Sequence, residues 1–298
     1  MDNGQITKLT FEIEAAAHKQ KLGEYLFDNL RDLSKMYLRE LIKTGKCEVN
    51  GNLVNSGYRL RPRDFIEIEA DLSRGTAMRP EAVELNIVFE DDEIIVVNKP
   101  AGMLVHPSHR ENSGTLLNAL SFYLNISSRK LIRPGLPHRL DKQTSGLIVV
   151  AKTPRAHRIL SGHFMRKRVE KLYLALVDGV VSTDEGSMNA PIGRHAEIKH
   201  WGVKHDGKVS ETNFRVKERF ADTTLLELEP VTGRTNQLRI HCEAIGHPIV
   251  GDTRRGGSRF NRLCLHAWQL AFPHPTSRER MEFQSEVQAD FPLPKAAF

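Results

Sequence analysis

The chain has 298 residues, long enough for two domains and a full core. Its 40% apolar and 27% charged residues exclude a disordered or fibrous protein, and 43 Lys+Arg against 37 Asp+Glu leave a net charge of +6 that favours an anionic partner. The longest apolar run, Leu172 to Val177, falls far short of the ~18 residues of a membrane span, and Met1-Asp2-Asn3-Gly4-Gln5 is no secretory leader, so a cytoplasmic protein is expected.

The three cysteines, Cys47, Cys242 and Cys264, lie far apart without Cys-x-x-Cys spacing, which predicts buried reduced thiols. The 13 histidines form no cluster of metal-ligand type, so no metal is expected.

From the N-terminus, Ser34 can cap a helix running from Lys35 to Thr44, stopped by Gly45. Leu38, Leu41 and Ile42 make its inward stripe, while Lys35, Arg39 and Lys43 recur every four residues and stack three cations on another face. Asn50-Gly51 between Cys47-Glu48-Val49 and Asn52-Leu53-Val54 predicts a tight hairpin. Arg59, Arg61 and Arg63 alternate, with Pro62 barring a central strand, and Phe65 to Glu69 reads as a half-buried strand. A row of cations beside an arginine ladder makes a positive surface suited to phosphates. Asp71 to Asn86, with Gly75 and Pro80, reads as a linker.

A second pattern begins at Ile87. Ile87 to Glu90 and Glu93 to Lys99 form a hairpin around Asp91-Asp92 that ends at Pro100-Ala101-Gly102. Further strands are predicted at Leu147 to Ala151, Lys171 to Val177, Val209 to Val216, Thr224 to Glu229 and Leu263 to Phe272. Helices fit Thr153 to Lys167, with Thr153 as cap and Pro154 in the first turn, and Asn236 to Ile245. Strands outnumber helices without regular alternation, which predicts an α+β body with a mainly antiparallel mixed sheet. No glycine-rich phosphate loop is present, so no nucleotide cofactor is expected.

The most informative passage is His138-Arg139-Leu140-Asp141-Lys142-Gln143-Thr144-Ser145-Gly146, which enters the strand at Leu147. Local pattern alone favours a polar turn whose Asp and Thr bond their own backbone. The alternating leucines of Lys171 to Val177 turn Tyr173 to the opposite face, and a cross-strand aromatic is its ordinary meaning. Arg239 lies on a helix following the turn Thr232-Gly233-Arg234-Thr235, where a surface ion pair is the default.

The front segment, Leu41-Ile42-Lys43-Thr44-Gly45-Lys46-Cys47-Glu48-Val49-Asn50-Gly51 with its Asp-Phe-Ile-Glu-Ile exit, resembles the RNA-binding domain named after small-subunit ribosomal protein S-four, over about residues 20 to 70. From Glu90-Asp91-Asp92 through Val97-Asn98-Lys99-Pro100-Ala101-Gly102-Met103-Leu104-Val105-His106-Pro107, His138-Arg139-Leu140-Asp141, Lys171 with Tyr173, Gln237-Leu238-Arg239-Ile240-His241, Gly251-Asp252 and Leu265-His266-Ala267, the rest resembles RNA pseudouridine synthases of the RluA type. A sister family acting on small-subunit RNA has Gly where His138 stands. Asn236, Pro137 and Thr253-Arg254-Arg255 depart from the pattern, the last replacing a segment that commonly ends in Tyr.

The resemblance implies an α+β, mainly antiparallel mixed-sheet pseudouridine synthase catalytic domain (87–298) behind a small α/β RNA-binding domain (1–70), with 71–86 as linker. It implies RNA as partner, ribosomal RNA before transfer RNA, a monomer, no membrane and no cofactor, since isomerisation conserves every atom. By resemblance Asp141 is the catalytic carboxylate, Arg239 the arginine that pairs with it, and Tyr173 the tyrosine that stacks on the target base. Arg139 is the side chain that fills the place of the flipped uridine, and Lys35, Arg39, Lys43, Arg59 and Arg61 bind RNA. Two rivals are a non-catalytic RNA-binding assembly factor with the same fold and a base-removing glycosidase. The first has no physical need for a carboxylate near phosphates, and the second wants two carboxylates.

Overall fold

The computed structural model describes residues 6–30, 33–72, 79–108, 111–127, 132–195, 200–287 and 290–292. The chain divides into two compact units, Met1–Arg79 and Pro80–Phe298. Positions 1–5, and positions 73–78 of the expected linker, lie outside the described residues.

In the first unit β1 (Ile6–Glu12), α1 (Leu22–Asn29), α2 (Lys35–Lys43), β2 (Cys47–Val49), β3 (Asn52–Leu53) and β4 (Phe65–Asp71) follow one another, and the sheet runs β1-β4-β2-β3. Ser34 caps α2 by accepting the Tyr37 N–H at 3.1 Å. Asn50 and Gly51 take φ of 52° and 72°, the left-handed pair that a two-residue hairpin needs. Leu22, Leu26, Leu38, Leu41, Ile42, Ile66 and Ile68 close the core between the two helices and one sheet face.

Asp64 organises the loop before β4. Burial would raise its carboxyl pKa, but the Arg61 N–H, Asn50 and Tyr58 all bond it and together hold it below the ordinary value.

The second unit comprises β5 (Ile87–Glu90), β6 (Ile94–Lys99), α3 (Leu116–Tyr123), β7 (Ser145–Ala151), α4 (Pro154–Met165), β8 (Glu170–Asp178), β9 (Glu185–Asn189), β10 (Ile192–His195), β11 (His200–Val203), β12 (Glu211–Arg219), β13 (Thr223–Pro230), α5 (Gln237–Ala244), β14 (Leu265–Pro273) and β15 (Arg280–Gln284). Its large sheet runs β5-β6-β7-β14-β8-β13-β12-β9, with β15 against β14. Among the described residues only β14 and β7 pair in parallel, so the sheet is mixed and mainly antiparallel as the sequence predicts. β10 and β11 form a separate hairpin.

Residues 80–86 are not a free linker. Glu81 N–H donates to the Asn118 carbonyl, the Gly114 N–H donates to the Glu81 carboxylate at 2.6 Å, and Leu85 packs on the core of this unit. No helix among the described residues is long and apolar enough to cross a membrane.

Close backbone approach sets the entrance to β7. Gly146 has φ +114°, and a Cβ there would meet the Ala267 carbonyl oxygen at 2.3 Å, so only glycine lets β7 and β14 come together at this point. Ser145 beside it is buried in a polar cluster. Arg262 donates to its Oγ, so the Ser145 hydroxyl is free to donate to His266 Nδ1 at 2.8 Å, and His266 Nε2 meets Ser285 Oγ at 3.0 Å. Burial lowers the His266 pKa to about 4, which keeps the ring neutral in this chain of bonds.

Candidate active site

Asp141, Tyr173, Arg239 and Arg139 come from three distant segments and line one cleft of about 780 Å³ in the second unit. Its walls are the loop that enters β7, the end of α4, the start of β8, and the turn that leads into α5.

The Asp141 main chain closes a turn, with its carbonyl accepting the Thr144 N–H at 3.1 Å. Its carboxylate, in contrast to the local polar-turn reading, has no hydrogen bond or ion pair among the described residues. Such a group in a cleft is open to a ligand.

Lys99 is a positive charge that interacts with this carboxylate. It ends β6 with a fully buried side chain, and its ammonium donates to the carbonyls of Pro100 at 2.8 Å, Met103 at 2.9 Å and Lys142 at 3.3 Å. Burial, reinforced by Arg262, lowers its pKa to about 7, with the negative charge of Asp141 opposing the shift. The lysine thereby pins the residue after Asp141 to the Pro100–Met103 turn. Sequence reading took Lys99 only as part of a family string; a lysine closing an otherwise apolar strand, Ile94 to Val97, was the available signal.

Tyr173 stands on β8 facing the cleft, while Leu174 and Leu176 enter the core. Burial and the charge of Asp141 both raise its phenol pKa, so the hydroxyl remains protonated. Lys171, two residues earlier on the same strand face, also lines the cleft, and its ammonium lies 6.0 Å from the Phe164 ring centre. The other face of the entrance is set by His138, whose ring stacks on Phe164 at 4.5 Å and whose Nε2 accepts the Val149 N–H at 3.0 Å. Burial, with Lys171 adding to it, lowers the His138 pKa to about 3. His138 is therefore a neutral structural brace, placed beside Arg139 and Asp141 but not bonded to either.

Arg139 is exposed at the rim, and its guanidinium has no hydrogen bond or ion pair among the described residues.

Arg239 departs from expectation in its partner. Its Nε and Nη2 clamp Asp252 at 2.6 and 2.7 Å, and Nη1 donates to Asn236 Oδ1 at 3.2 Å. No hydrogen bond or ion pair joins it to Asp141. The reason is geometric: one edge of the planar fork is taken by a nearly buried carboxylate, which wins over a partly exposed one. Burial alone would lower the Arg239 pKa, but Asp252 holds it above the ordinary value, with Asp141 and Glu243 adding to the attraction. Three of the five guanidinium N–H groups are thus used, and the remainder stay available at the cleft.

The backbone explains the residues around it. Asn236 sits at φ 55° before α5, a left-handed position that asparagine accepts readily, and its side chain fixes the arginine. Gln237, nearly buried, accepts from Thr232 Oγ1 at 2.7 Å and the Arg234 N–H at 3.0 Å, and donates to the Glu211 carbonyl and Thr212. It holds the whole turn, a role that its place in a motif string does not reveal. Gly251, at φ +85°, precedes Asp252, and a Cβ there would lie 1.8 Å from the Arg262 carbonyl oxygen, so glycine alone sets the carboxylate under α5.

In the first unit the expected RNA-binding cations are dispersed. Arg39 and Lys43 line a cleft of about 800 Å³ together with Leu53 and Tyr58, while Lys35 lies over the Phe27 ring at 4.3 Å. Arg59 donates to the Lys19 carbonyl at 3.2 Å, and Arg61 is exposed beside Asp64, which accepts its N–H.

Residues 93–244 match the RNA pseudouridylate synthase family. The chain belongs to that family. A Bacillus subtilis protein named uncharacterized RNA pseudouridine synthase YlyB is 38% identical over 91% of each chain. The ribosomal large subunit pseudouridine synthase D of Pseudomonas aeruginosa is 37% identical, over 91% of this chain and 90% of its own. The solved structure of human RNA pseudouridylate synthase domain containing 1 shares the fold with a TM-score of 0.57 at 28% identity, covering 72% of this chain and 85% of that one. This family member is accordingly an isomerase that acts on RNA.

Proposed function

We propose that the chain converts uridines of large-subunit ribosomal RNA to pseudouridine, with Asp141 as the catalytic carboxylate. The observation that carries this reading is the cleft itself: an Asp141 carboxylate without a hydrogen bond or ion pair among the described residues, in the same cavity as Tyr173 and Arg239. Relatives named ribosomal large subunit pseudouridine synthase D favour that RNA.

In the reaction the bond from ribose C1′ to uracil N1 breaks, the ring turns, and a bond from C1′ to C5 forms. C5 loses a proton and N1 gains one, so atoms and electrons balance without a cofactor. The ionised Asp141 assists the cleavage from the sugar side, as nucleophile or as base. Tyr173 packs against the base and keeps a protonated hydroxyl beside it. Arg239, held by Asp252 and Asn236, balances the negative charge of Asp141. Arg139 fills the stack that the flipped nucleotide leaves, offsetting part of the few kcal/mol that unstacking costs. The first unit adds phosphate contacts through Lys35, Arg39, Lys43, Arg59 and Arg61.

The test is a pseudouridine map of ribosomal RNA from cells lacking the gene, complemented with wild type or with Asp141→Asn. Wild type is expected to restore a defined set of sites and the variant none. Sites restored equally by both would overturn the role of Asp141, and a map unaltered by deletion would overturn the substrate.

A further inference from the structure

The Arg255 side chain is only 2% exposed, and it is spent on contacts outside the cleft. Nη1 donates to Glu243 Oε2 at 2.5 Å, Nη2 donates to the Trp201 carbonyl at 2.8 Å, and Nε lies 3.9 Å from Asp252 Oδ2 without a hydrogen-bond partner. Asp252, the clamp of Arg239, therefore faces two arginines. Glu243 stands one helical turn after Arg239 on α5, the i,i+4 spacing at which opposite charges meet. Its carboxylate already adds to the field at Arg239. Arg239, Asp252, Arg255 and Glu243 thus make an alternating set whose charges cancel.

We propose that Arg255 is a positioning residue for the isomerisation: by binding Glu243 it leaves Arg239 to Asp252 and to the cleft, and by bonding Trp201 it ties the β10–β11 hairpin to the same set. An apolar side chain of similar length would fill the space as well but would release Glu243. The freed carboxylate, four residues from Arg239, would then compete with Asp252 for the guanidinium and draw it from the cleft. The proposal rests on the reading of the cleft given above.

The test uses single-turnover conversion of a large-subunit ribosomal RNA transcript by the purified full chain, with RNA affinity measured separately. Arg255→Met is expected to slow conversion about tenfold at saturating RNA and to leave affinity within about twofold, a loss confined to the chemical step. Glu243→Gln added to Arg255→Met is expected to bring the rate back to within about threefold of wild type, because the competing charge is gone. Lost packing gives no such recovery. A rate for Arg255→Met equal to wild type, or a double variant as slow as the single one, overturns the proposal. If Arg255→Met does not fold, Arg255→Gln with and without Glu243→Gln gives the same reading, since glutamine keeps an amide donor for the Trp201 carbonyl but no charge to hold Glu243. A wild-type chain inactive on the transcript overturns the substrate reading and this inference with it.

Discussion

The cations of the two units are used in opposite ways. In the second unit Arg239, Arg255 and Lys99 are largely or wholly buried, and each donates two or more hydrogen bonds to fixed acceptors. In the first unit Lys35, Arg39, Lys43, Arg59 and Arg61 are exposed on a small fold whose own core is apolar. Buried, bonded charge defines a position to a fraction of an ångström and loses much when one partner is removed. Exposed charge gives attraction without position, and salt screens it. The chemistry proposed at Asp141 needs the first kind, and the RNA contacts proposed for the first unit need only the second.

The largest effect short of removing Asp141 itself is expected at Asp252. Asp252→Asn takes the clamp from Arg239 and leaves two arginines facing an amide, so kcat is expected to fall about 100-fold, corresponding to the ~3 kcal/mol typical of a broken buried pair. Steady-state kinetics at fixed RNA check it, and a kcat within threefold of wild type would show that the clamp does not matter. Next, Lys35→Gln, Arg39→Gln and Lys43→Gln combined are expected to weaken RNA affinity about tenfold and to flatten the salt dependence of log K by roughly 2, with kcat preserved. A fall in kcat at saturating RNA would break the contrast between the two units.

The last effect is on stability in acid. The folded-state pKa of His138, about 3, lies below its ordinary 6.5, so the unfolded chain takes up a proton between those values that the native state does not. Its contribution is intact above pH 6.5 and is lost as the pH falls toward 3. Denaturant unfolding at pH 7 and 4.5 should show His138→Gln losing about 2 kcal/mol less than wild type. Equal losses would remove His138 as an acid-sensitive brace.

Much of this was legible in the sequence because short-range signals decide it. Asn50-Gly51 set the first hairpin, Thr153 and Pro154 set the start of α4, and the polar break before Leu147 marked the loop of Asp141. Two of the elements that the sequence pattern leaves out show why the rest was not legible. In α3 the residues from Leu116 to Ser121 are all buried, so no face stands out, and β15 alternates exposed charges with half-buried Met281 and Phe283 at the sheet edge. Asp141, Tyr173, Arg239 and Arg139 line one cleft, but the partners that hold Arg239 have no trace in the sequence pattern. Arg239 bonds Asp252 and Asn236 because a kinked glycine and a left-handed asparagine bring them there, and contacts made by such backbone features have no signature in spacing.

The central proposal is that the Asp141 carboxylate, without a hydrogen bond or ion pair among the described residues, does the chemistry, while Arg239 and its partners set its surroundings and the first unit adds RNA contacts. Single-turnover conversion and RNA binding by purified Asp141→Asn test it directly, since the amide keeps size and shape but not charge. Pseudouridine formation is expected to drop by at least about 1000-fold with affinity within threefold of wild type; an Asp141→Asn protein that still isomerises its RNA at a comparable rate would contradict the account.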